Sequence, residues 1–173
     1  RGAWESVTEV DTGSTDHVAF ILADDSSPFN ADDDPTTGDP GDPARSDDDG
    51  NEAAPLYLYV GEKDPAGDFL ARNGLRGGTL YVWVSDTGET LPSEFNGFGE
   101  TPKSLGGTWV AVDNLPSETP SEDGSTGFDE YGFPTQRNLW TQAENLGGGA
   151  AFGFSRPEDV ATNPADRSEI VLA

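Results

Sequence analysis

Apolar positions in this chain come in short bursts separated by polar stretches, and the bursts have the length and period of β-strands. Trp4–Val10 alternates loosely. His17–Ala23 (HVAFILA) is a nearly continuous apolar run, the pattern of a strand buried on both faces. Leu56–Val60 (LYLYV), Leu80–Val84 (LYVWV) and Thr108–Val112 (TWVAV) are short, β-branched and aromatic, and bounded by Gly or Pro. Ile170–Ala173 reads as the start of another strand. One helix is predicted: Thr135 suits the N-cap, Leu139, Trp140, Ala143 and Leu146 share a face, and Gly147 stands where a C′ glycine belongs. The remainder, rich in Gly (22) and Pro (13), reads as loop. The pattern predicts an all-β fold with one short helix, in a single domain over residues 1–173. Strands recurring near residues 58, 82 and 110 suit a propeller blade or a meander, so the expected architecture is a partial propeller-like set of antiparallel sheets with long acidic loops.

Charge changes this picture most. The chain carries 33 Asp and Glu against 9 Lys and Arg, a formal net charge of −24. Such a field repels phosphate backbones and anionic membranes, which argues against nucleic-acid binding, and it attracts cations. Self-repulsion of this size disfavours the compact state unless ions screen it, so calcium, high salt or both are expected to support folding. Nine Phe, four Tyr and four Trp argue against disorder, because they need somewhere to be buried. Residues 24–52 form a low-complexity acidic insertion holding 11 of the 33 acids. Two readings stay open for it: loose calcium binding, for which Asp47–Glu52 offers oxygen ligands without an EF-hand spacing, or the solvated loop of a halophilic or marine protein. A second acidic loop runs from Ser117 to Glu130. Cysteine and methionine are absent, which removes disulfides, zinc–thiolate sites and cysteine nucleophiles. No apolar run approaches the roughly 20 residues of a membrane span. The chain opens on Arg1 with no signal peptide, and is expected to be a processed product or part of something longer.

Several short motifs bear on chemistry. Asp11–Thr12–Gly13 and Asp86–Thr87–Gly88 have the form of paired aspartic-protease triplets, but Asp-Gly sequences after strands are ordinary turns, and turns are the expectation here. Gly153–Phe154–Ser155–Arg156–Pro157 begins like a nucleophile elbow and ends in Pro where the sharp turn needs Gly. The one histidine, His17, opens a strand and reads as a strand-edge or core residue. In Arg156–Pro157–Glu158–Asp159, Pro157 fixes the backbone beside the carboxylates and Arg156 can hold a neighbouring anion; the plain alternative is a surface Arg–Glu pair at a turn.

Taken in order, Val18–Asp25, Tyr57–Lys63 (YLYVGEK), Phe69–Leu75 (FLARNGL), Thr79–Trp83 (TLYVW) and Arg156–Asp159 (RPED, followed by VATNP) resemble the PhoX-type alkaline phosphatases and their relatives. The resemblance implies a secreted β-propeller that hydrolyses phosphate monoesters at calcium, and in the phosphatases iron, held by carboxylates. Carried over by motif, Glu158 and Glu62 are metal-ligand candidates, with Asp159 and Asp25 behind them, and Arg156 would orient carboxylate or phosphate. The metal ions would neutralise phosphoryl oxygens and activate a nucleophile, so few catalytic side chains are needed. The chain departs from the family in lacking its iron-ligating cysteine and in being far shorter than a whole propeller, so the remainder of a longer chain is an expected partner. By this reading the protein is extracellular or at the cell surface, works on a phosphate-ester substrate, and is inactive as an isolated piece. Two alternatives stand beside it: a non-catalytic surface protein that uses calcium for protein assembly, and a halophilic domain whose acids serve hydration alone.

Overall fold

The apolar bursts pair edge to edge, since a short strand with one or both faces apolar satisfies its backbone only in a ladder. The computed structural model describes residues 4–24, 53–87, 104–117, 120, 127–155 and 157–173. Strands β1 (Trp4–Val10), β2 (His17–Asp24), β4 (Leu56–Glu62), β5 (Thr79–Ser85) and β6 (Gly107–Val112) form an antiparallel sheet in the order β1–β2–β4–β5–β6. The two-residue strand β3 (Ala53–Ala54) pairs instead with β8 (Phe154–Ser155). Pro55 separates β3 from β4, and having no N–H it cannot carry the ladder across. Beyond that break β7 (Ala150–Ala151) takes the vacated edge of β5, pairing Val84 with Ala151 and Ser85 with Ala150. The hairpin of β9 (Val160–Thr162) and β10 (Ile170–Leu172) completes the strands.

Side chains alternate between the two faces of the sheet, and each face has its own cover. On one face Tyr57, Val82, Val84, Val110 and Val112 meet Leu139, Trp140 and Ala143 of helix α2 (Gln136–Gly147). Trp140 is fully buried, and its indole N–H donates to Glu144 one turn on at 2.9 Å. Burying a side chain of this class contributes about 1.5–3 kcal/mol, and the internal hydrogen bond removes the penalty for its polar edge. On the other face Ile21, Ala23 and Leu56 pack with Val160, flanked by Leu58, Trp109, Phe154, Ile170 and Leu172. Two bonds staple β9 onto β1: Thr8 Oγ1 donates to Val160 O at 2.5 Å, and Val160 N donates to Ser6 Oγ at 3.2 Å. β2, between β1 and β4, is covered on both faces, which is why its sequence is apolar throughout.

The fold is mainly β, as the sequence pattern predicts, but the main sheet ends in the strands β1 and β6 and is not closed on itself. Several elements differ from expectation. A second helix, the single turn α1 (Phe69–Arg72), is nucleated by Asp68, whose side chain accepts the Ala71 N–H. At four residues it is too short to show a helical period. β9 lies in sequence that reads as loop, yet it provides the partner that the C-terminal strand needs. Leu146 shares its helix face with Leu139 in projection but is exposed. The last turn of α2 approaches the sheet through Gly147, where a Cβ would come within 2.7 Å of Val110 Cγ2, and the αL cap is Gly148 rather than Gly147. Asp24, expected to open the solvated insertion, is instead the buried last residue of β2. Most of the 24–52 insertion and much of the Ser117–Glu130 loop lie outside the described residues.

Candidate functional site

At the end of the sheet where β1 turns into β2, Asp11–His17 forms a turn built from its own side chains. Asp11 Oδ1 accepts from Gly13 N at 2.8 Å, Thr12 Oγ1 accepts from Ser14 N at 3.1 Å, and Ser14 Oγ accepts from Asp16 N at 3.1 Å. The first Asp-Thr-Gly triplet is thus turn chemistry. The second begins at the far end of β5, three strands away and at the opposite end of the sheet, with Asp86 N bonded to Gly106 O. Strand spacing alone separates the two aspartates by about 14 Å, so they cannot share a proton as a protease pair must.

The hydroxyl of Ser14 lies 3.3 Å from His17 Nδ1. Ser14 Oγ also accepts from Asp16 N, and with the hydroxyl as donor to Nδ1 the imidazole would present Nε2–H to the cavity. His17 is exposed and pairs in register with Glu62, and the next residue, Lys63, donates its backbone N–H to Asp16 O at 2.8 Å. From the other side comes the β9–β10 loop. Asn163 bonds Glu169 through backbone and side chain, and Asp166 Oδ1 accepts from the N–H and hydroxyl of Ser168. Those two bonds hold the Asp166 carboxyl below its ordinary pKa. Asp11 N donates to Arg167 O at 3.2 Å and ties the two loops together.

Between them lies a cavity of about 630 Å³ whose lining includes Asp11, Thr12, Ser14, His17, Lys63 and Arg167. It gathers the one histidine of the chain and two of its nine cations, with the carboxylates of Glu9 and Asp11 and the hydroxyls of Thr12 and Ser14, which are hydrogen-bonded within the turn. In a molecule of charge −24 this patch is locally balanced, and it can meet an anion with Lys63, Arg167 and the His17 N–H, and a cation with its carboxylates. The sequence singles out Glu62 but gives no weight to Lys63 or Arg167, and His17 reads as structural. The signal that unites them is the register of β2 against β4 and the loop bond from Asp11, neither of which is local in sequence.

The other predicted site residues lie elsewhere. Glu158 N and Asp159 N both donate to Ala173 O, at 2.8 and 3.2 Å, next to the buried Pro157, and both residues are exposed. They sit beside Val160, which is bonded to Ser6, whereas Glu62 is opposite His17. Ser6 pairs with Ala23, so the two places are six residues apart along β2, about 20 Å. Arg156 and Asp25 lie outside the described residues. Among the described residues no three His, Asp or Glu side chains are grouped to hold a metal ion. The carboxylates of Glu158 and Asp159 are hard oxygen donors of the kind calcium takes, but two side chains are fewer than the roughly six to eight oxygens it needs. Nothing in the donor set, which lacks sulfur, favours a softer metal. The elbow-like segment at Phe154–Ser155 is the short strand β8, so it has no strand–turn–helix to expose a nucleophile. No helix among the described residues is long and apolar enough to cross a membrane.

No protein-family model, curated protein or solved structure matches the chain.

Proposed function

We propose that this protein binds phosphate monoesters and takes part in their calcium-dependent hydrolysis outside the cell, as a propeller-like member or part of the PhoX-type group. The observation that carries this reading is the cavity of His17, Lys63 and Arg167, a spot where two cations offset the carboxylates of Glu9 and Asp11 in an otherwise strongly acidic chain. A phosphoryl group there would meet two full positive charges and the His17 Nε2 donor, with Thr12 and Ser14 hydroxyls near. Glu62, beside His17, would be the calcium donor at this cavity, while Glu158 and Asp159, with Arg156 next to them in sequence, would hold a second calcium about 20 Å away. Calcium, when bound, neutralises charge on phosphoryl oxygens and draws an anionic ester toward a protein that would otherwise repel it. Hydrolysis of p-nitrophenyl phosphate tests the reading, measured for the chain and for any longer natural form, with calcium or chelator. Turnover that needs calcium and falls on changing Lys63→Ala or Glu62→Ala is expected. Equal rates in both variants, or no turnover in any form, would overturn it.

A second reading, calcium-mediated assembly of a non-catalytic surface protein, is favoured by one feature: Glu158 and Asp159 are exposed side by side, well placed to share an ion with another molecule. Light scattering separates the two. Assemblies that dissolve in chelator and re-form with calcium support assembly, and a particle size indifferent to calcium counts against it.

A further inference from the structure

A second cleft opens at the other end of the molecule, where the first turn of α2 meets the sheet. Its volume is about 390 Å³, inside the roughly 300–1,000 Å³ range of small-molecule sites. Trp4, Tyr131 and Phe133 stand around it, all substantially exposed, and Tyr57 lies in its wall. Trp4 meets Tyr57 edge-to-face, ring centroids 5.3 Å apart.

The aromatic rim is held still. Asp129 Oδ1 accepts from both Tyr131 N and Phe133 N at 2.9 Å, Asp129 N donates to Phe133 O, and Gly132 O accepts from Ser117 N at 2.7 Å. Gly132 takes φ +82°, and a Cβ there would come within 2.5 Å of Ser117 O, so only glycine closes this loop. The loop presents two large, half-exposed rings to solvent, and ordered exposed aromatics of this kind mark binding surfaces.

The polar groups of the cleft decide what it takes. Tyr57 is wholly buried, and its hydroxyl has no hydrogen-bond partner among the described residues. A buried hydroxyl left so costs free energy until something bonds it. The Asn114 side chain and Asp129 Oδ2 also make no hydrogen bond among the described residues. A quaternary ammonium group would suit the rings but cannot bond any of these atoms. An anionic ligand would face Asp129 and a field of −24, with no Lys or Arg among the described lining residues. A neutral polyhydroxylated ring satisfies both demands, offering hydroxyls to the tyrosine, amide and carboxylate and an apolar C–H face to the aromatic rings. We infer that this cleft is a carbohydrate-binding site for a neutral pyranose unit, with Trp4, Tyr131 and Phe133 as the stacking surface and Tyr57, Asn114 and Asp129 as the hydroxyl-reading groups. It stands apart from the phosphate-ester cavity and does not depend on that reading.

The test is titration of the 173-residue chain with cellohexaose and with maltohexaose, followed by tryptophan fluorescence and calorimetry. Saturable binding of at least one is expected, weakened about tenfold or more in Tyr131→Ala, with a thermal melt of the variant showing that it is folded. Tyr57→Phe keeps the ring and removes only the hydroxyl, and it weakens binding while leaving the thermal midpoint the same or higher. Absence of binding to both oligosaccharides overturns the inference, as does wild-type affinity in both variants. Saturation by tetramethylammonium chloride with no response to either sugar overturns it in favour of a cation cage.

Discussion

The side-chain amide of Gln136, in the first turn of α2, donates a hydrogen bond to the fully buried carboxylate of Asp24 at the end of β2. It joins two residues 112 positions apart and fixes where the helix starts on the sheet. Removing one partner of a buried charged acceptor costs about 1–3 kcal/mol. Gln136→Leu should therefore lower unfolding free energy by that amount in urea titration, with the slope unchanged. An unaltered midpoint would show that the bond holds nothing together.

Tyr57 packs in the same corner, and burial raises its phenol above the ordinary 10.0, with the negative charge of Asp24 adding to the effect. The sign follows from linkage. The folded pKa is the higher one, so the stability tied to this group is complete below the unfolded pKa and declines as pH rises past it, because only the unfolded chain can then ionise. Urea midpoints between about pH 9 and 11 should fall more steeply for the native sequence than for Tyr57→Phe. Parallel slopes would contradict this placement of the hydroxyl.

Gly61 and Gly74 touch backbone to backbone. A Cβ on Gly61 would lie 1.7 Å from Gly74 O, and Gly74 itself holds φ +68° against Val18. No side-chain rotation relieves a clash with a carbonyl. Gly61→Ala should destabilise the chain by at least the roughly 1–3 kcal/mol typical of overpacking. It should also disturb Glu62 and Lys63, the next residues along. Thermal melting and the backbone amide shifts of residues 62 and 63 check both effects, and a neutral substitution would mean the loop is free to withdraw.

Two exposed carboxyls keep their loops in shape. Asp68 is held below its ordinary pKa first by the Ala71 N–H it caps, and also by Arg76, whose guanidinium lies 2.5 Å away. Asp166 is held low by the Ser168 hydroxyl and N–H. In both cases the folded pKa is depressed, so the contribution is present above the ordinary 3.8 and is lost as pH falls through the folded value. Carboxyl-carbon NMR shifts should show both groups titrating below 3.8. Asp166 titrating at or above that value would mean that the loop carrying Arg167 is not ordered in solution.

The strands were legible because their signal is local: LYLYV, LYVWV and TWVAV alternate or run apolar over the length of one ladder, and each became a strand. The α2 N-cap was legible for the same reason, since Thr135 and the 139–140–143 face lie within three turns. What escaped depends on contacts far apart in the chain. Val160–Thr162 is a strand only because Ser6, Thr8 and Ile170–Leu172 receive it. Asp24 resembles the aspartates that follow it and differs in having Gln136 above it. Arg167 joins His17 through one backbone bond from Asp11, and nothing near either residue announces the meeting. The motif residues Glu62 and Glu158 were found by resemblance to short segments, and the register of β2 with β4 and β1 puts them about 20 Å apart along the sheet.

The central claim is that a phosphate monoester and calcium bind this protein together, the ester among His17, Lys63 and Arg167. Binding linkage makes it measurable, because each ligand must raise the affinity for the other by the same factor. Calorimetric titration of phenyl phosphate should show tighter binding with calcium than with chelator, and an equal gain for calcium when the ester is present. The Lys63→Ala and Arg167→Ala variants should each weaken the ester by about tenfold. No heat of binding for phenyl phosphate at saturating calcium, or wild-type affinity in both variants, would contradict the account.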